Sequence, residues 1–375
     1  MISNFSHTII HRYFQWTNAI HIFPYIYNKD ECEIQLGPNS RKWFLISWIF
    51  IFHTVFITWR IFQDFFFHEG RIQDFLFRFF FVAAAGLAST NQLNSLVNYK
   101  ELVSLITMFL RLDRIYTSKY RVGNTVDVLG IYIGGLFPVI VLSQVILYIG
   151  IYFYDPRSPN FLNSFLSTEP YSVISILMLV PEIVFFISAW SSVYWSLLLS
   201  FTFQMSLNYW LQRLSLKNCE SDRGKFELKN FQALRTTYRE LQIITTMFNN
   251  TMAHVYQPLH TFFMGGICVT CAFTTVHCYG TMHWFAYMLS PVTTIAVLIY
   301  YSISTPNAAG ILSHSEDFIC SWRMAESNAG MTKFFHSCPG LRIKMGSQYY
   351  IQKSTLFIFF NILANQTIAL LVGVR

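Results

Sequence analysis

The chain of 375 residues is 53% hydrophobic and only 12% charged, with a formal net charge of +7. A soluble chain carries about 25% charged residues, so this one lacks the polar surface to coat a globule in water, and lipid is its expected solvent. Its basic residues are spread over short segments and form no patch, which excludes nucleic acid as the expected partner and points to membrane orientation.

Residues 1–42 are polar and aromatic, with no continuous apolar core or small-residue cleavage site, and read as a cytoplasmic N-terminal segment. Seven apolar stretches follow at 43–62, 75–97, 129–154, 172–203, 255–279, 282–303 and 350–372, each near the roughly 20 residues a bilayer core requires. The fourth is overlong and is expected to continue past the bilayer, while a turn around Gly280 separates the fifth and sixth. The predicted fold class is therefore an all-α membrane protein, with residues 43–375 forming a seven-helix transmembrane domain. Within it, 204–254 reads as a cytoplasmic helical loop and 304–349 as a cytoplasmic loop before the last span.

Lysine and arginine fall in alternate gaps. One side collects twenty, among them Arg41, Lys42, Arg111, Arg114, Lys217, Arg235, Arg239, Arg323 and Arg342; the other holds Arg60, Arg71, Arg157 and Arg375. Short cytoplasmic loops retain basic residues, so the N-terminus is expected inside and the C-terminus outside a membrane that the chain crosses several times. The acceptor motifs at Asn4 and Asn249 then lie on the inner side, where glycosylation does not reach.

In the fourth loop, 226–248 repeats apolar positions at Phe231, Leu234, Tyr238, Leu241 and Phe248 with charges between them, the pattern of an amphipathic helix running into the fifth span. Pro138, Pro181, Pro258 and Pro291 lie inside spans and are expected to kink them around a bundle cavity or to act as hinges.

Intramembrane charges are costly and face bundle interiors. Arg78 and Glu182 lie at comparable depths in the second and fourth spans and are expected to pair, unless Arg78 snorkels to the interface. Tyr148, Tyr152, Glu182, Phe185, Thr275, His283 and Trp284 cluster toward the outer ends of the third to sixth spans as candidate ligand-binding residues; interfacial aromatic belts predict the same residue types without a ligand. No phosphate loop, paired metal-binding histidines or nucleophile elbow occurs, so neither an enzyme nor a cofactor or metal is expected. Cys268 and Cys271 read as small buried hydrophobes, and no disulfide framework is expected. Asp113-Arg114-Ile115-Tyr116 follows the second span, not the third, and the last span lacks Asn-Pro-x-x-Tyr, which argues with the topology against a G-protein-coupled receptor.

The stretch SCPGLRIKMGSQYYIQKSTLFIFFNILANQTIALLV from Ser337, and LRTTYRELQIITTMFNNTMAHVYQPL from Leu234 with Asn250 near the membrane, resemble the insect-type gustatory and odorant receptor superfamily, the gustatory branch being favoured. The whole-chain plan resembles it too. The Thr-Tyr, five apolar residues, Gln-Phe element common in insect gustatory receptors is not present, since Thr355 precedes Leu356. The resemblance implies a ligand-gated, non-selective cation channel, a homo- or hetero-tetramer of related subunits in membrane lipid, opened by a small-molecule tastant or odorant. It implies a pocket in the outer half of the bundle and a pore lined by the last span, which here carries Gln366, Ala369, Leu370 and Gly373 on one helical stripe. Gln366 is alternatively a buried amide bonded to a neighbouring helix. A metabotropic seven-span receptor and a non-channel membrane protein of the same plan are the competing readings.

Overall fold

The computed structural model describes residues 3–28, 31, 33–37, 40–67, 72–120, 128–165, 172–215, 231–325, 329–347 and 349–374. Cys32, Cys219, the 226–230 start of the expected amphipathic helix and several counted basic residues, including Lys217, Arg71 and Arg375, lie outside them.

Helix α1 (Asn4–Ala19) and an antiparallel hairpin of β1 (Tyr25–Asn28) and β2 (Glu33–Leu36) precede the first span. The spans are α2 (Ser40–Phe67), α3 (Ile72–Val97), the run of α5 (Val128–Ile131), a π-helical stretch (Tyr132–Leu136) and α6 (Phe137–Tyr154), then α7 (Val173–Leu214), α9 (Tyr256–His277), α10 (Trp284–Ala325) and α12 (Thr355–Gly373). Between them come α4 (Tyr99–Tyr120), a 3-10 turn (Leu162–Phe165), α8 (Phe231–Met252), α11 (Ala329–Ser337) and the two-residue strands β3 (Lys344–Met345) and β4 (Tyr349–Tyr350). Among the described residues, seven helices are long and apolar enough to cross a membrane, and the chain is a multi-pass membrane protein.

The prolines act differently at each site. The π-helical stretch ends two residues before Pro138, whereas Pro181 and Pro291 lie within continuous helices, as does Pro306 in the segment read as a loop. Pro258 sits in the first turn of α9, where its missing N–H has no helical acceptor to lose. That proline also explains why α8 stops at Met252 and does not run unbroken into the fifth span. Gly280, with φ +75°, makes the tight turn between α9 and α10.

The segments read as long loops are mostly helical. Helices α7 and α10 each run 42 residues, about 63 Å at 1.5 Å per residue, twice the hydrocarbon thickness. Their extensions pack with α4, α8 and α11 into a base. Helix α4 buries Leu102, Leu105, Ile106, Phe109, Leu112 and Tyr116, an i, i+3, i+4, i+7 stripe. In α8 the expected stripe is buried at Leu234, Tyr238, Leu241 and Phe248, with Ile244 added. The base is pinned by polar contacts inside it. Trp210 Nε1 donates to Asp113 at 2.6 Å, Tyr116 donates to Glu240 at 2.8 Å, and Trp322 Nε1 donates to the Leu214 carbonyl at 2.9 Å. The Asp113–Tyr116 quartet is thus a packing element. Tyr238 donates to the Pro339 carbonyl at 2.6 Å, and burial raises its pKa above the ordinary tyrosine value, keeping it a neutral donor.

Residues 1–42 do not stand apart from the bundle. Tyr13 donates to the Ser191 carbonyl at 2.8 Å, and Phe14, Phe23 and Tyr25 surround Trp195 on α7. Helix α3 packs most extensively against α9, α9 against α10, and α2 against α3. The α3–α9 approach depends on Gly86: a Cβ there would lie 2.6 Å from the Phe263 ring.

The segment leading into α12 is held by Asn249, not by the neighbouring Asn250. The Asn249 amide donates to the Arg342 carbonyl and accepts from the Lys344 N–H, both at 2.9 Å, while Ser315 Oγ accepts from the Leu341 N–H at 2.8 Å. Both ends of the Asn249 amide are engaged, which disfavours glycan attachment in the folded protein. Asn249→Ala leaves two backbone groups unpaired, a loss of about 1–3 kcal/mol each where they are buried. The expected result is a lower melting temperature in detergent, with earlier proteolysis in 338–353 than elsewhere.

Candidate ligand-binding cavity

A cavity of about 120 Å³ lies inside the bundle, walled by α2, α3, α6, α7, α9 and α10. Its lining is dominated by apolar and aromatic side chains, among them Phe50, Phe80, Phe81, Phe185, Phe186 and Trp190. Ala84, Ala85 and Ala189 leave the space that larger residues would fill. Three polar side chains on it have unpaired atoms. Asn160, 2% exposed, has neither Oδ1 nor Nδ2 bonded; Gln144, fully buried, donates from Nε2 to Thr293 Oγ1 at 3.1 Å but leaves Oε1 free; His53 Nε2 is also free, its ring stacked on Phe185 at 3.9 Å. An unpaired buried polar group costs about 1–3 kcal/mol.

Glu182 lies behind the cavity wall, bonded to the lining residue Tyr148. It is fully buried, and its carboxylate accepts the Tyr148 hydroxyl at 2.8 Å with one oxygen and the Leu162 N–H with the other. Asn163 adds bonds to the Pro156 carbonyl and Ser175 Oγ, both at 3.1 Å. The connection after α6 is thereby folded back over the bundle, with Phe161 packed on Tyr148 and Tyr152 and Asn160 facing the cavity.

The expected pair of Arg78 with Glu182 does not form. Arg78 bonds Asp64, near the end of α2, because the α2–α3 hairpin brings those positions together. Glu182 meanwhile is spent on the connection. Of the seven candidate ligand residues, Tyr148 and Phe185 line the cavity. Tyr152 instead donates to the Ser175 carbonyl at 2.5 Å, and Thr275 Oγ1 donates to the Cys271 carbonyl at 2.7 Å. His283 stacks on Tyr154 at 4.0 Å near the α9–α10 turn, and Trp284 is 59% exposed. The reading by depth missed His53, Gln144, Asn160, Thr293 and Tyr300. Gln144 and His53 carried a signal, as a lone amide and a lone imidazole inside apolar runs.

Helix α12 is bound loosely to its own chain. Among its residues only Leu363 is buried, and it contacts α9 and α10. Gln366, Ala369 and Gly373 are exposed and Leu370 partly so. The helices that touch α12 also wall the cavity. Tyr300 lines it, while the next residue, Tyr301, stacks on Phe359 of α12 at 3.9 Å; Met264 lines it, while Gly265 faces Phe359 and Leu363.

Glu182→Ala strands the Tyr148 hydroxyl and the Leu162 N–H, for an expected loss of about 2 kcal/mol or more; Glu182→Gln, which retains an acceptor, keeps part of it. Thermal unfolding of the purified variants checks the order wild type, Gln, Ala.

No protein-family model and no curated protein sequence matches the chain. Solved structures are similar to it, two of them as follows. One is the insect olfactory receptor OR5 from Machilis hrabei in complex with eugenol, with a TM-score of 0.69 and 9% identity over 98% of this chain and 100% of that one. The other, of OR5 from Machilis hrabei, has a TM-score of 0.59 and 11% identity over 97% and 99%. At such identities the likeness concerns the fold, over the full length of both chains. This chain has the seven-helix fold of an insect olfactory receptor.

Proposed function

We propose that the protein is a chemosensory receptor of the insect chemoreceptor superfamily, acting as a ligand-gated, non-selective cation channel in the plasma membrane. The observation that carries this reading is the state of α12: an apolar membrane helix of 19 residues with one buried side chain. A helix packed so sparsely within its own subunit is suited to an interface between subunits, and four copies would let the stripe Gln366, Ala369, Leu370 and Gly373 face a shared conduit. Gln366 would contact partly hydrated cations, and Leu370 would close the conduit by excluding water. The twenty-to-four bias of basic residues supports a cytoplasmic N-terminus and an extracellular C-terminus.

The ligand would be a small molecule held in the bundle cavity, as the eugenol complex of the similar receptor suggests. It gates only if it binds the open arrangement more tightly than the closed one. Tyr301 on Phe359 supplies a contact through which α10, which walls the cavity, biases the conduit helix.

Expression in a heterologous membrane with current recording is the test. Ligand-evoked cation currents that persist with G-protein signalling blocked are expected, and C-terminal labelling from outside intact cells. A C-terminus reached only after permeabilisation, or the absence of current with any partner subunit, removes the channel reading. Gln366→Ala and Leu370→Ala are expected to change ion permeability or closure, read as reversal potential and leak current. Phe359→Ala removes an aromatic pair worth about 0.5–1.5 kcal/mol; the expected result is a roughly 2- to 10-fold shift in the half-maximal concentration with direct ligand affinity held within about 2-fold.

A further inference from the structure

We infer that the cavity selects a one-ring, uncharged molecule bearing a hydroxyl group, whose hydroxyl exchanges hydrogen bonds with Asn160 and Gln144; this rests on the cavity being the receptor's ligand site. Size sets the first limit. The cavity's volume of about 120 Å³ is close to the roughly 150 Å³ of an engineered cavity that holds benzene. The aromatic walls, Phe81, Phe185, Phe186 and Trp190 among them, suit a ring in edge or offset contact.

Charge sets the second limit. No Asp, Glu, Lys or Arg lines the cavity among the described residues, and the Glu182 carboxylate is engaged with Tyr148 and Leu162. A ligand ammonium or carboxylate would enter without a counter-ion, which the low-dielectric interior penalises heavily.

The unpaired atoms set the third. Asn160 offers a free acceptor and free donors, and Gln144 a free acceptor. Turning the Gln144 amide over would change which end meets Thr293 but would still leave one end unpaired. The Tyr148 hydroxyl does not substitute, since it is given to Glu182. A ligand hydroxyl both donates and accepts, so it serves an amide oxygen and the Asn160 Nδ2 together. An ether only accepts, and a hydrocarbon does neither. Discrimination by a site with stranded polar atoms exceeds discrimination by shape, because the wrong ligand leaves them stranded.

The test measures direct binding to purified full-length protein in nanodiscs, by calorimetry, so that it does not depend on channel opening. The probes are benzyl alcohol and cyclohexanol with their methyl ethers and parent hydrocarbons. The expected result is at least a tenfold preference for each alcohol over its ether. In Asn160→Leu and Gln144→Met the preference should fall to within about twofold, through weaker alcohol binding and not tighter ether binding alone. Ligand-free Asn160→Leu should melt at or above the wild-type temperature, since it removes two unpaired polar atoms. A lower melting temperature means that an ordered water already pairs the amide, and it overturns the inference. So does a flat alcohol-to-ether ratio, a ratio unchanged in both variants, or binding by no member of the panel. A plugging variant, Ala189→Phe, separates the two levels. If it leaves alcohol binding intact, the cavity is not the ligand site and both readings fall; if it abolishes binding while the wild-type ratio is flat, only the hydroxyl preference falls.

Discussion

Helix α10 is one continuous helix of 42 residues that passes through Pro291 and Pro306, and its course sets the geometry of everything it touches. Thr293, Val297 and Tyr300 wall the cavity, Tyr301 carries the last helix on Phe359, Ser315 holds the segment before that helix, and Trp322 closes on the end of α7. Rotation or translation of the helix at one level bears on the others, since all of these contacts lie on one element. The cavity and α12 meet adjacent residues of α10, about 100° apart around its axis, so a displacement of the wall is also a displacement of the surface under α12.

The polar groups within the apolar layer are used economically. Glu182 is a buried carboxylate whose two oxygens hold the Leu162 N–H and the Tyr148 hydroxyl, which fixes the connection after α6 and turns Asn160 inward. Arg78 is matched by Asp64 within one hairpin. The free atoms of Asn160, Gln144 and His53 differ from other unpaired buried atoms, such as those of Asn91 and His260, in lying on the bundle cavity. Elsewhere in the apolar layer most serines and threonines bond back to a carbonyl three or four residues earlier, as Ser188, Thr270 and Thr274 do.

Stability and mobility are distributed unequally. The base joins α4, α8 and the extensions of α7 and α10 through buried aromatic side chains and bonds such as Trp210 to Asp113. Among the described residues, helix α12 packs chiefly on α9 and α10. Its entry is anchored firmly by Asn249 and Ser315, so it is tethered at one end and sparsely packed along its length. Such an element moves at low cost, which suits the conduit role proposed for it.

The apolar runs and their lengths determined the seven spans, since hydrocarbon demands about 20 residues whose backbone groups bond among themselves whatever their neighbours are. The repeat at Leu234, Tyr238, Leu241 and Phe248 determined the buried face of α8 for a similar local reason. The same repeat in α4 was equally present in the letters but was masked by the charges of 99–121, and the helical extension through Pro306 looked like a loop because its mean polarity rises. Partner choice was different. Arg78 to Asp64, Glu182 to Leu162, Asn249 rather than Asn250, and the convergence of Asn160, Gln144 and His53 on one cavity all join residues from separate elements. Depth along a span does not reveal which way a side chain points around its helix, and only packing of the helices against one another fixes that rotation.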